Sequence, residues 1–130
     1  MNLFIVDMMR VNNFATDNLE EKFTKIWQEA KEKIQEEKEW FGVYTDYVSD
    51  YKGDYSFGVA LRQYDSNSLV CIDKSMVYKV FRVKDKAHLP ALWEHIWQLE
   101  EAGTLKRAYT VDYEHYKMDG TVDVHVAIET

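Results

Sequence analysis

Two stretches of the chain carry apolar residues at helical spacing, and several others alternate apolar with polar. Leu19, Phe23, Ile26, Trp27, Ala30 and Ile34 follow one another at intervals of 4, 3, 1, 3 and 4, which gathers them on one face of a helix. Leu89, Leu92, Trp93, Ile96 and Trp97 form a second such stripe. Val122, Val124, Val126 and Ile128 alternate with Asp123, His125 and Ala127, the period of a half-buried strand. Tyr55, Phe57, Val59 and Leu61 repeat that alternation. The pattern predicts strands near 3–11, 40–48, 54–63, 76–83, 107–116 and 121–128, with helices near 17–37 and 88–102. Asp17 followed by Glu20 reads as a capping box for the first helix. Pro90 suits the first turn of the second helix and Gly103 its end.

The elements come in two similar series. Ile26-Trp27-Gln28 returns as Ile96-Trp97-Gln98, 70 positions later, and at the same offset Leu19 matches Leu89 and Phe23 matches Trp93. Met9-Arg10-Val11 resembles Phe81-Arg82-Val83 at an offset of 72. Asp46-Tyr47 matches Asp112-Tyr113 at 66, and Val59-Ala60-Leu61 matches Val126-Ala127-Ile128 at 67. An offset that falls along the chain is what loop deletions leave in an old duplication. The expected fold is therefore α+β: tandem β-α-β-β units with pseudo-two-fold symmetry, an antiparallel sheet with helices, and a central ligand cleft. Repeat one spans 1–63, a connector 64–75 and repeat two 76–130, all in a single domain.

Composition narrows the function classes. The chain has 130 residues and a net charge of -7, which argues against a nucleic-acid partner, because phosphate contacts need a basic face. No apolar run is long enough to span a bilayer, and Asp7 interrupts the N-terminus too early for a signal peptide. A single cysteine, Cys71, allows no internal disulfide, so a reducing cytoplasm is the expected location. His88, His95, His115 and His125 lack zinc-ligand spacing and read as surface residues, and no phosphate loop is present, so no cofactor is expected. The charged stretch from Glu29 to Glu39 reads as a solvated helix face with pairs such as Glu29–Lys33. Aromatic residues make up 15% of the chain, more than a core this small requires, which points to rings lining a ligand site.

The candidate site rests on few residues. Glu114 lies on a strand whose two faces, Thr110, Asp112, Glu114, Tyr116 and Tyr109, Val111, Tyr113, His115, are both mixed, so the pattern does not say which face turns inward. On pattern alone Glu114 reads as an exposed carboxylate. Trp93 and Trp97 stand one helical turn apart and serve equally as core or cleft lining. Tyr44, Tyr55 and Phe57 fall on strands expected beside the pseudo-axis, and Trp40 and Phe41 read as a pocket rim or a hydrophobic seam.

Tyr78-Lys79-Val80-Phe81, Leu89-Pro90-Ala91-Leu92-Trp93, Tyr113-Glu114-His115-Tyr116 and Val122-Asp123-Val124-His125-Val126-Ala127-Ile128 follow one another in an order that resembles the GyrI-like family, the effector-binding domain of AraC-type and MerR-type bacterial regulators. Gly42-Val43-Tyr44-Thr45-Asp46-Tyr47 and Asp54-Tyr55-Ser56-Phe57-Gly58-Val59 fit the first half of that pattern. The chain looks like a stand-alone member of the kind carried in integron gene cassettes. It departs from many relatives at Val83-Lys84-Asp85-Lys86, where they carry a glycine. The resemblance implies a cleft in which Glu114, with Tyr116, meets a cationic, amphipathic, drug-like ligand among aromatic rings. It implies a binding module for multidrug recognition without its own DNA-binding segment. A separate DNA-binding regulator and a second copy of the chain are the candidate protein partners. Two alternatives remain: hydrolysis of strained small molecules, as some relatives perform with a carboxylate and a tyrosine, and a gyrase-inhibitor-like interaction module.

Overall fold

Alternating patterns become hairpins where polar and glycine-containing turns separate them. In the computed structural model, which describes residues 1–35, 39–62, 69–72 and 75–130, seven antiparallel strands form one sheet. They are β1 (Asn2–Val11), β2 (Trp40–Thr45), β3 (Tyr55–Arg62), β4 (Leu69–Cys71), β5 (Tyr78–Val83), β6 (Asp112–Tyr116) and β7 (Val122–Ala127). Helix α1 (Leu19–Lys33) joins β1 to β2, and α2 (Leu89–Glu101) joins β5 to β6. The strand order is β4-β1-β3-β2-β6-β7-β5. Seven Cα steps separate Cys71 from Tyr78 and reach about 25 Å at most. A flat sheet would hold β4 and β5 about 29 Å apart. The sheet is accordingly curled into a half-barrel, an α+β architecture. No described helix is long and apolar enough to cross a membrane.

Both faces of the sheet are covered. On the helix side, α1 packs Ile26 and Ala30 against Val11, Tyr55, Phe57, Val59 and Leu61, while α2 packs Leu89 and Ile96 against Val122, Val124 and Val126. On the other side Leu3, Phe41, Val43, Ala60, Ile72 and Tyr113 form a further core. An irregularity in β1 between Ile5 and Asp7 lets that strand serve both: Leu3 and Ile5 face the second core, whereas Val6, Met9 and Val11 face α1. Trp40 and Phe41 are thus neighbours buried in different cores, not a rim. His115 stacks on Phe41 at 4.4 Å and His125 on Tyr113 at 4.3 Å. These two histidines belong to the second core rather than to the surface, because β6 and β7 turn them toward it, while His88 and His95 are exposed.

Local details depart from the sequence reading in four places. The capping box does not form: Asn18, at φ 55, caps α1 without a side-chain bond, which leaves Asp17 one position too early. The connector contributes a short strand, β4, paired with β1. Its residues 64–68, 73 and 74, like the expected end of the first helix at 36–37, lie outside the described residues. Glu29 lies 3.9 Å from Lys25, and Lys33 reaches across to Asp7 instead of back to Glu29. Asp46-Tyr47 follows the end of β2, whereas Asp112-Tyr113 opens β6, so that pair of matches does not occupy corresponding places. Leu19 and Leu89 each open a helix, and Val43 pairs with Tyr113 across the β2–β6 seam, both at a separation of 70. Gly103, at φ +75, closes α2 as expected.

Candidate functional site

β6 presents Asp112, Glu114 and Tyr116 to the helix side and Tyr113 and His115 to the other. Glu114 lies opposite Gly42 across the β2–β6 seam. A Cβ at position 42 would stand 2.8 Å from Glu114 Oε1 and 3.0 Å from the Phe57 ring, so the glycine leaves the slot that the carboxylate fills. Glu114 is only 3% exposed. Its Oε2 accepts hydrogen bonds from the Tyr44 hydroxyl at 2.9 Å and the Trp93 indole N–H at 2.8 Å. Its Oε1 accepts one from the Tyr116 hydroxyl at 2.7 Å. Burial pushes the carboxyl pKa up, and the bonds from Tyr116, Trp93 and Tyr44 pull it only part of the way back. Burial, reinforced by the Glu114 charge, raises both tyrosine hydroxyls well above their ordinary range, so they remain donors. Among the described residues no cationic side chain pairs with Glu114; its partners there, Tyr44, Trp93 and Tyr116, are all neutral.

Rings surround this carboxylate. Tyr44 touches Phe57 at 5.0 Å, Trp93 at 5.2 Å and Tyr55 at 5.8 Å between centroids. Trp27, from α1, closes on Tyr116 at 4.8 Å. The structure therefore brings together Glu114, Trp93, Tyr44, Tyr55, Phe57 and Tyr116, between elements from both ends of the chain. Trp97 is not among them. Four residues along a helix add about 40° of rotation and about 6 Å of rise, which carries it beyond β6. There it stacks on Tyr51 at 5.0 Å, with Phe14 at 5.7 Å.

A second polar cluster, absent from the sequence reading, adjoins the first through Trp93. Asp112, fully buried, accepts the Arg107 guanidinium and the Tyr47 hydroxyl at 2.6 Å each, and the Ala127 N–H at 2.7 Å. Arg107 also meets Glu100 at 3.2 Å and lies 4.3 Å from the Tyr109 ring centroid and 5.5 Å from that of Trp93. Burial is the largest single influence and opposes the guanidinium charge, but Asp112, Tyr47 and Tyr109 together outweigh it and hold the pKa above its ordinary value. Two acids at Asp112 and Glu114 on one strand face were the available signal, because burying that face demands partners for both. Among the described residues no group of three His, Cys, Asp or Glu could hold a metal ion.

No family model matches this chain, and no curated protein matches it. Its structure is similar to the crystal structure of an integron cassette protein from the mobile metagenome of Vibrio cholerae, with a TM-score of 0.71. The two chains are 24% identical, and the likeness covers 98% of this chain and 90% of that one. It shows that the fold is shared with an integron cassette protein.

Proposed function

We propose that this chain is a GyrI-like binding module of the integron-cassette kind, built from two β-α-β-β units, that takes up a small organic cation at Glu114. Two observations support the duplication: the common separation of 70 at the helix starts and the β2–β6 seam, and the mirrored strand order β1-β3-β2 and β6-β7-β5. The pseudo-axis then passes through the Val43–Tyr113 pair, with Glu114 and Tyr44 as related positions beside it.

One observation carries the ligand class. Among the described residues Glu114 is a buried carboxylate held by neutral donors alone, whereas a buried charge ordinarily has an opposite charge beside it. A cation supplies the missing countercharge, and the faces of Tyr44, Trp93 and Trp27 add cation–π attraction of roughly 0.5–2 kcal/mol each. Trp93, Tyr44, Trp27 and Tyr116 are mostly buried but each keeps some exposed surface, so a ligand would reach Glu114 by displacing these rings rather than by opening the sheet. Calorimetric titration with benzyltrimethylammonium and with its uncharged analogue neopentylbenzene tests the reading. The cation should bind to the wild type and only weakly to Glu114→Gln; equal affinity of both compounds for both proteins would overturn it.

A hydrolytic reading draws on the same geometry. A carboxyl with a raised pKa, touched by two tyrosine hydroxyls, is a suitable proton acceptor and donor pair. Recovery of a bound ligand intact after prolonged incubation separates binding from turnover.

A further inference from the structure

The outer side of α2 forms one wall of a groove of about 580 Å³, lined by Tyr51, Glu94, Trp97, Gln98, Glu101 and Ala102. It is separate from the Glu114 cluster and shares no residue with it. The β2–β3 loop supplies the second wall. Tyr51 lies parallel to Trp97, at an interplanar angle of 8°, and its hydroxyl donates to Glu101 at 2.6 Å. Phe14, 63% exposed, extends the aromatic surface. The lining contains two carboxylates and no cationic residue.

The geometry points to a docking groove for a basic segment of a partner protein, bound in the polyproline II conformation. Charge complementarity argues for the partner's sign. The chain's own Lys52 shows the chemistry in place, with its ammonium 3.2 Å from Glu101 and 5.5 Å from the Tyr51 ring centroid. The spacing argues for the conformation. Glu94 and Glu101 are seven residues apart on one helix face, about 10 Å along its axis. A polyproline II segment returns to the same side every third residue, about 9 Å on, so cationic side chains three positions apart meet Glu94 and, in place of Lys52, Glu101. Aromatic rings usually line the grooves that take such segments, and here the stacked Tyr51–Trp97 pair supplies that surface.

The test is a titration of the ¹⁵N-labelled full chain at low salt, followed by NMR, with acetyl-Arg-Pro-Pro-Arg-amide. The four indole N–H signals separate the two sites. The peptide should move the Trp97 indole and the Glu94 and Glu101 amides saturably and leave the Trp93 indole unmoved, while acetyl-Glu-Pro-Pro-Glu-amide does nothing. Glu94→Lys, an exposed change that leaves the fold intact, should weaken binding roughly three- to tenfold. Trp97→Ala should weaken it roughly tenfold or more, and Glu114→Gln should leave it unchanged. Four results would each overturn the proposal: no saturable shift at millimolar peptide, an equal response to the acidic peptide, a response centred on Trp93, or benzyltrimethylammonium binding at Trp97 as tightly as the peptide.

Discussion

Asp112 and Glu114 stand two residues apart on the same face of β6, equally lost to solvent, yet they are compensated in opposite ways. Asp112 has a cation, Arg107, and a full set of donors. Among the described residues Glu114 has donors but no cation. Trp93 divides the two, giving its ring face to Arg107 and its N–H to Glu114. A carboxylate paired internally is part of the framework. One left with neutral donors carries a raised pKa and an unmet preference for positive charge, the condition expected of a binding residue.

The sharpest way to break this comparison is to neutralise the paired acid. Asp112→Asn leaves Arg107 buried beside Glu100 alone and should cost about 3–5 kcal/mol in urea unfolding. A loss below about 1 kcal/mol would mean that the Arg107–Asp112 pair is not the framework element described here. Gly42→Ala should cost about 1–3 kcal/mol, because the new methyl group meets the Glu114 carboxylate and the Phe57 ring. In a Glu114→Ala background the same change should cost less, and a double-mutant cycle by denaturant melts measures the difference.

Glu114→Gln should behave unlike Asp112→Asn, with stability at neutral pH equal to the wild type or higher. The Gln oxygen accepts from Trp93 and Tyr44, and the Tyr116 hydroxyl turns to accept from the Gln amide. The pH dependence has a definite sign. A carboxyl whose folded pKa lies above its unfolded value of about 4.3 is free of penalty below that value, and it loses stability as pH rises through the folded pKa. The advantage of Glu114→Gln over the wild type should therefore be absent in acid and grow with pH across that window, as paired melts at several pH values would show. The smallest effect belongs to Tyr51→Phe, which removes one exposed hydrogen bond to Glu101 and should change stability by about 0.5 kcal/mol or less.

The same contrast explains what was legible in the sequence. Strands and helices were, because Leu19, Phe23, Ile26 and Trp27 and the Val122–Ile128 alternation carry strong periods. The inward turn of Glu114 was not, because both faces of β6 are mixed; it comes with the register against Gly42, a pairing that no local pattern records. Arg107 stayed hidden because the strand expected from 107 begins only at Asp112, leaving Arg107 joined to the sheet by a single bridge to Ile128, and its partner Asp112 reads as surface charge. Trp97 was grouped with Trp93 because one helical turn looks like one face. The extra rotation and rise per turn send it to another part of the surface.

The central claim is that Glu114 reserves its charge for a cation from outside the chain. Its most direct measurement is calorimetry of benzyltrimethylammonium binding to the wild type and Glu114→Gln, at neutral pH and in acid. A charge-assisted contact of about 1.5–3 kcal/mol predicts that the substitution weakens binding roughly ten- to a hundredfold at neutral pH. Lowering the pH through the raised pKa should weaken the wild type until the two proteins coincide. Equal affinities at neutral pH, or a wild-type affinity that does not change with pH, would contradict the claim and leave Glu114 as an interior carboxylate satisfied by its three neutral donors.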